Sequence, residues 1–218
     1  QLMHVAHLEG TDFVLVSIEN QTHQIIPRRL EDDLLDFNTY GLNNFWTVYH
    51  SNPDTNIDYD YAMQLQLNQI QVSPERINRT QYLREKQIVD GWEYLLDNNG
   101  NVMQDSLGND IKVDKIIDVK ARLFKVNQFK LTRVSAKVVY HNLKTNQILD
   151  AFPINSEFVF ENKYATVRGD RRALTNHDLD LLQNRRIHFP SNEQMVFDTG
   201  EELKHKLKDI INSYHLRG

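Results

Sequence analysis

Residues 61–73, YAMQLQLNQIQVS, contain the alternation that decides the fold of this chain. Apolar side chains first occupy odd positions, with amides between them, and then continue on even positions from Ile70. Alternation with a period of two predicts a β-strand, and the change of phase predicts one extra residue, a β-bulge, near Asn68 or Gln69. One apolar and one polar face are typical of a strand in an antiparallel sheet.

The chain before this stretch predicts the order strand, helix, strand. Residues Asp12–Ile18 are short, apolar and rich in β-branched side chains, which predicts a buried strand. Pro27 suits the first turn of a helix, and apolar residues at helical spacing predict that helix over 27–40, which Gly41 would end. Phe45–Tyr49 predicts a second short strand.

The segment after Pro74 departs from strand alternation. Residues 75–110 are rich in charged and amide side chains, and they contain two similar turns, Asp97–Asn101 and Asp105–Asn109. Each turn begins with aspartate and ends with glycine and asparagine, residues that favour turns and left-handed conformations. We therefore predict an excursion from the sheet that carries one or two hairpins.

Alternation then resumes in three runs. They are Ile117–Leu123, Val134–Tyr140 and Phe152–Phe160. Three consecutive alternating runs separated by polar segments predict an antiparallel meander.

The tail, residues 175–216, predicts two helices. Thr175 and Asp178 resemble a capping box, with aspartate in place of the usual glutamate or glutamine, and would open the first helix. Apolar residues at helical spacing from Val196 onwards predict an amphipathic C-terminal helix.

These elements together predict a single α+β domain over 1–218, with a mainly antiparallel sheet and helices packed on it. The sheet core would comprise 12–72 and 112–160 with the helix 27–40, and residues 75–110 would be the excursion.

Composition excludes several classes of function. The chain has 218 residues, 25 basic and 30 acidic, and its formal charge of −5 lacks the basic surplus of a nucleic-acid-binding protein. It has no cysteine, which excludes disulfides, thiolate metal sites and cysteine nucleophiles. Its nine histidines form no metal-binding motif, and no phosphate-binding or dinucleotide-binding glycine motif is present. We therefore predict neither a metal nor a cofactor.

One short motif has catalytic potential, Asp198-Thr199-Gly200. Aspartic proteases use this tripeptide, and two such aspartates share one proton, so a single copy would need a homodimer. Glu201 and Glu202 follow at once, at helical spacing, where a catalytic loop calls for small or apolar residues. We predict no catalytic residue and a polar stretch of helix here; a dimeric aspartic-type protease using Asp198 is the alternative.

The excursion is the predicted partner-binding surface, because it carries Tyr82, Trp92 and Tyr94 among charged residues. Large aromatic side chains ringed by polar ones are typical anchors of protein interfaces. The alternative is that these aromatics pin the hairpin to the sheet by packing.

Arg171 and Arg172 are two further candidates for partner binding. They follow Asp170 between the last predicted strand and the tail, and paired arginines beside an acid suit an anionic ligand or a docking partner. The alternative is a structural turn in which Asp170 caps the backbone and one arginine pairs with a carboxylate of the sheet.

Five phrases along the chain carry a resemblance to a known family: Phe13–Thr22, an apolar strand followed by Asn-x-Thr; the helix Arg28–Asn38; Trp46–Val48; Asp60–Leu65, Asp-Tyr before a long strand; and Lys144–Leu149, a hairpin with Asn146 where glycine is usual. In this order they resemble the periplasmic domain of bacterial envelope lipoproteins of the CsgG and LpoB type. The stretch from Asp90-Gly91-Trp92 to Asp110, with Phe160–Ala165, is similar to a lipoprotein group of Bacteroidota.

The resemblance implies a function without catalysis. Such proteins are accessory subunits of the periplasm or outer membrane that bind other envelope proteins, and a lipid anchor upstream of Gln1 would be the only membrane attachment. A cytosolic interaction module is the alternative, and the oligomeric state stays open.

Overall fold

The computed structural model describes residues 10–36, 47–214 and 216, and in them the chain is α+β, as the sequence predicts. The described strands are β1 Asp12–Asn20, β2 Thr47–His50, β3 Tyr61–Val72, β4 Arg76–Tyr94, β5 Lys112–Asn142 and β6 Gln147–Gly169. The helices are α1 Arg28–Leu35, α2 Asn176–Gln183 and α3 Asn192–Ser213, with a short 3₁₀ turn at Arg171–Ala173. None of these helices is both long enough and apolar enough to cross a lipid bilayer.

The strands form a mixed sheet. Strand β1 pairs in parallel with β2 and with β3, and β3 pairs antiparallel with β5. Strand β5 also has β4 and β6 as neighbours. The parallel pair β1 and β2 agrees with the predicted order strand, helix, strand, because parallel neighbours need a crossover connection and α1 lies in it. Helix α1 ends at Leu35, with Asp36 as its C-cap, so it is shorter than the predicted helix 27–40. Residues 37–40 and the start of the predicted strand 45–49 lie outside the described residues.

The bulge predicted in the third strand is confirmed. Leu67 lies opposite Ala136 and Gln69 opposite Ser135, so Asn68 is the extra residue. Met63, Leu65 and Leu67 before the bulge and Ile70 after it are all buried. The bulge therefore keeps the apolar side chains on one face after their numbering changes from odd to even.

The chain divides into two compact units. The first unit comprises residues 1–75, 129–160 and 189–218, and the second comprises 76–128 and 161–188. The prediction of a single domain over 1–218 stays a prediction.

The core of the first unit lies between its strands and the helices α1 and α3. Each buried apolar residue of β3 pairs with a buried residue of β5, as Met63 does with Tyr140 and Leu65 with Val138. The predicted amphipathic helix is α3, which begins at the N-cap Ser191 and buries a stripe that includes Leu203 and Leu207.

The second unit has its own apolar core, beneath the 3₁₀ turn and α2. Its buried members come from β5, β6 and the turn with its C-cap: Val119, Ala121, Leu123, Ala165, Ala173 and Leu174. The predicted capping box at the start of α2 is present, because Thr175 and Asp178 exchange side-chain to backbone hydrogen bonds.

Strand boundaries also differ from the sequence prediction. The runs 117–123 and 134–140 belong to one strand, β5, because the segment between them stays extended. Burial along β5 changes from odd to even positions between Leu123 and Val126, and this change of phase imitates a break between strands. Within the predicted excursion 75–110, residues Arg76–Tyr94 form the long strand β4.

Helices α1 and α3 approach each other closely at Gly200. A Cβ atom at this position would overlap both terminal methyl groups of Leu30 in α1. Close packing of the two helices therefore explains a glycine at this position. Inside a helix, glycine normally lowers stability by about 1 kcal/mol relative to alanine.

We expect Gly200→Ala to destabilise the protein by about 1 kcal/mol, because overpacking costs about 1–3 kcal/mol and outweighs the gain in helix propensity. Urea unfolding measures this difference. Adding Leu30→Ala should remove the overlap, so the double variant should lose less than the two single losses together. A Gly200→Ala protein more stable than the parent would contradict this packing.

Candidate functional site

The five residues predicted to bind a partner all belong to the second unit, but they do not form one patch. Tyr82, Trp92 and Tyr94 lie on β4, and Arg171 and Arg172 lie in the 3₁₀ turn. Tyr82 and Trp92 are about 30 Å apart along an extended strand. The structure separates three groups: the Trp92–Tyr94 pair, an ionic cluster around Tyr82, and the arginine turn.

Gly91 determines which face of β4 carries Trp92. The ammonium of Lys112 lies 3.8 Å from the centre of the Trp92 ring, so these two residues share a face. Ile88 packs instead with Ile117 against the buried cluster of the second unit. Lys112 and Ile117 are an odd number of positions apart on β5, and therefore point to opposite faces. Ile88 and Trp92 must also point to opposite faces, and one extra residue at Gly91, whose φ is +80°, accounts for the reversal.

Because of this reversal, Trp92 and Tyr94 lie on the solvent-facing side of the hairpin. Their rings meet edge to face at 5.1 Å, and the Lys112 ammonium lies 5.9 Å from the Tyr94 ring. Trp92 is 52% exposed and Tyr94 41% exposed. By the same count of positions, Val89 before the bulge and Ile116 on β5 share this face, and both are exposed.

The end of the hairpin is a three-way junction of the main chain. The Leu95 N–H donates to Ile111, the Ile111 N–H donates to Met103, and the Met103 N–H donates to Leu95, at 2.8–2.9 Å. Two small loops leave this ring, closed by the bridges Leu96–Val102 and Gln104–Asp110. We call the exposed apolar side chains of the hairpin end the tip surface; they are Val89, Trp92, Tyr94, Leu96, Val102, Met103, Leu107 and Ile116.

The two loops repeat the same turn, as their sequences predict. In each, the first aspartate accepts hydrogen bonds from two backbone N–H groups. Asp97 accepts from Asn99 and Asn101, and Asp105 accepts from Leu107 and Asn109. These bonds hold the pKa of both aspartates below its usual range. The carboxylates therefore shape the loops, and no cluster of three metal-binding side chains occurs among the described residues.

Tyr82, which is 38% exposed, lies beside an ionic cluster whose central carboxylate is buried. Its ring lies 5.1 Å from both Arg84 and Lys125. Arg84 Nε is 2.8 Å and Lys125 Nζ is 3.1 Å from the carboxylate of Asp178, whose side chain is fully buried. Tyr82 therefore covers the cluster that fastens α2 to the sheet of the second unit, which agrees with the packing alternative for this aromatic.

Asp178 combines two structural roles. Its carboxylate accepts from the Thr175 N–H in the capping box and from Arg84 and Lys125 across the unit. The hydrogen bond from Arg84 is the largest cause that lowers the pKa of Asp178 far below its usual range. The sequence predicts the capping box, but no local pattern predicts that Arg84 and Lys125 pair with Asp178.

The arginine turn matches the structural alternative that the sequence allowed. Asp170 accepts from the Arg172 N–H, and the Arg172 guanidinium bonds Asp170 and Asp90 at 2.7 Å each. The bond to Asp170 is the first cause that raises the pKa of Arg172. Among the described residues Arg171 makes no ion pair, so the two arginines do not converge on one anion site. Gly169 precedes them with a φ of +109°, and a Cβ there would lie 2.6 Å from the Lys120 carbonyl oxygen.

Asp198-Thr199-Gly200 lies within α3 and forms no loop. Asp198 accepts from the side chain of Gln194 at 2.9 Å, one turn earlier. Thr199 is fully buried and donates to the Met195 carbonyl. The tripeptide is thus a helix segment whose threonine and glycine face the core.

Comparisons with known proteins give a distant structural neighbour. No protein-family model matches the sequence, and no curated protein matches it. Among solved structures, a neuraminyllactose-binding hemagglutinin homolog from Helicobacter pylori is similar to this chain with a TM-score of 0.42 and 8% sequence identity. The match covers 95% of this chain and 87% of that one.

We expect Asp178→Asn to destabilise the protein by about 3 kcal/mol at neutral pH, because Arg84 and Lys125 lose their buried counter-charge. The lowered pKa means that this stabilisation is fully present above the unfolded carboxyl pKa of about 4 and declines as the pH falls below it. Urea unfolding at neutral pH and near pH 2–3 measures both effects. The difference in free energy of unfolding between parent and variant should shrink in acid. A difference that grew in acid would contradict the role of the ionised Asp178 carboxylate.

Proposed function

We propose that this chain is an accessory protein without catalytic activity that binds other proteins of the bacterial cell envelope. Docking takes place through the tip surface of the second unit. The observation that carries the proposal is the Trp92–Tyr94 pair, which a bulge at Gly91 turns away from the buried cluster and towards solvent.

The apolar core of the second unit does not account for these aromatics. Neither ring belongs to the buried cluster of the second unit or packs against it. Burying a large aromatic side chain is worth about 1.5–3 kcal/mol, so exposing two of them side by side gives up stability that a bound partner would recover. Exposed apolar side chains gathered within one region, and rimmed by charges, are typical of interaction sites.

The envelope setting of the proposal comes from the resemblance to lipoproteins of the CsgG and LpoB type. It includes a lipid anchor upstream of Gln1 and a partner in a periplasmic or outer-membrane assembly. A cytosolic interaction module would use the same tip surface, so the two settings differ in localisation and not in the docking surface.

The docking proposal predicts direct contact at position 94. A photocrosslinking phenylalanine derivative in place of Tyr94 should capture one recurrent protein in cells of the source organism. Trp92→Ala with Tyr94→Ala should weaken binding of that protein at least about tenfold, as expected for interface anchors. Ile148→Ala removes an apolar side chain of the first unit that is at least as exposed, and serves as the control. Equal binding by the tip variant and the control would contradict the proposal.

The protease alternative predicts a different outcome. Because Asp198 is a helix residue bonded to Gln194, we expect Asp198→Asn to leave partner binding unchanged and to alter no peptide-cleaving activity. Incubation of the protein with unfolded substrate in acid, followed by mass spectrometry, tests this. Cleavage by the parent that disappears in Asp198→Asn would establish the protease instead.

A further inference from the structure

The formal charge of the chain is concentrated at the hairpin end. Residues 90–118 contain seven acidic residues and two lysines, which gives −5, the same as the whole chain. The remaining residues, 23 acidic and 23 basic, balance. The part of the molecule with the exposed aromatic pair is therefore also its strongly acidic part.

Part of this charge lies on the same face as the aromatic pair. Asp114 and Asp118 flank Ile116 at even positions of β5, on the face that Lys112 shares with Trp92. Both aspartates are exposed. A partner that covers Ile116 and Trp92 must therefore also cover carboxylates, and covering them costs free energy unless the partner supplies cations.

The aromatic pair itself already holds a cation. The Lys112 ammonium lies 3.8 Å from the Trp92 ring centre, within the range of a cation–π interaction. The chain's own lysine thus occupies a position in which the side chain of a partner lysine or arginine would also be stabilised.

From these observations we propose that the tip surface binds a protein surface that is basic and partly apolar, with lysine or arginine side chains set beside aliphatic ones. The inference rests on the proposed docking function and names the chemistry of the partner. Apolar contacts on Trp92, Tyr94 and Ile116 supply the attraction at short range, and Asp114 and Asp118 pair with the partner's cations. An anionic lipid surface has the wrong charge for this site.

Labelled peptides of about ten residues can stand in for the partner surface and test its chemistry. One alternates lysine with leucine, one glutamate with leucine, and one lysine with serine. Fluorescence anisotropy on the full chain should show binding of the lysine–leucine peptide only. Its affinity should fall at least about tenfold between about 0.05 M and about 0.5 M NaCl, because ions screen the exposed charges.

Two variants locate the binding. Asp114→Asn with Asp118→Asn should weaken the lysine–leucine peptide about tenfold, by the loss of two exposed charges. The matched control, Asp180→Asn with Asp209→Asn, changes the net charge equally at exposed helix positions and should have little effect. Lys112→Gln should strengthen binding several-fold, because it removes the competing cation. A surface that used Lys112 to recognise an acidic partner would respond in the opposite direction.

Several results would overturn the inference. Among the peptides, these are equal binding of the glutamate–leucine peptide, no binding of the lysine–leucine peptide, or an affinity that does not depend on salt. The inference also fails if the Asp114/Asp118 variant and its control lose the same affinity, or if the protein binds phosphatidylcholine vesicles in preference to the peptide. A recurrent crosslink at position 94 together with any of these would leave the docking function standing and reject the basic partner. Absence of the crosslink would reject the docking function itself.

Discussion

Alternation of side chains between the two faces of a strand is the constraint on which the rest of this structure depends. A single inserted residue reverses the face of every side chain beyond it. The inserted residue Asn68 in β3 keeps the apolar side chains on the core face. The inserted residue Gly91 in β4 instead places Trp92 on the face away from the core. The same local device thus serves packing in one strand and display in another.

Local patterns explain how much of the fold could be predicted. The bulge at Asn68, the capping box at Thr175 and the apolar stripe of α3 each follow from a few neighbouring residues. The change of burial phase inside β5 misled the prediction, because a strand that changes phase and two strands joined by a turn have the same pattern.

The candidate site was less predictable, for two physical reasons. Glycine adopts positive and negative φ with similar ease, so the sequence alone does not reveal that Gly91 reverses the face of Trp92. The ion pair between Arg84 and Asp178 joins positions that are 94 residues apart, and nothing near either residue indicates it. The sequence prediction placed Tyr82 and Trp92 in one binding surface, whereas Tyr82 packs on the cations that pair with Asp178 and Trp92 lies beyond the reversal of faces at Gly91.

The ring of hydrogen bonds among Leu95, Met103 and Ile111 has a consequence for how this chain can vary in evolution. Each loop begins and ends on the ring, and the two loops repeat with a spacing of eight residues, which is the pattern that tandem duplication leaves. A loop of this kind can lengthen or change its side chains without shifting the register of β4 and β5. The end of the hairpin can therefore change in sequence and length while the framework beneath it stays constant.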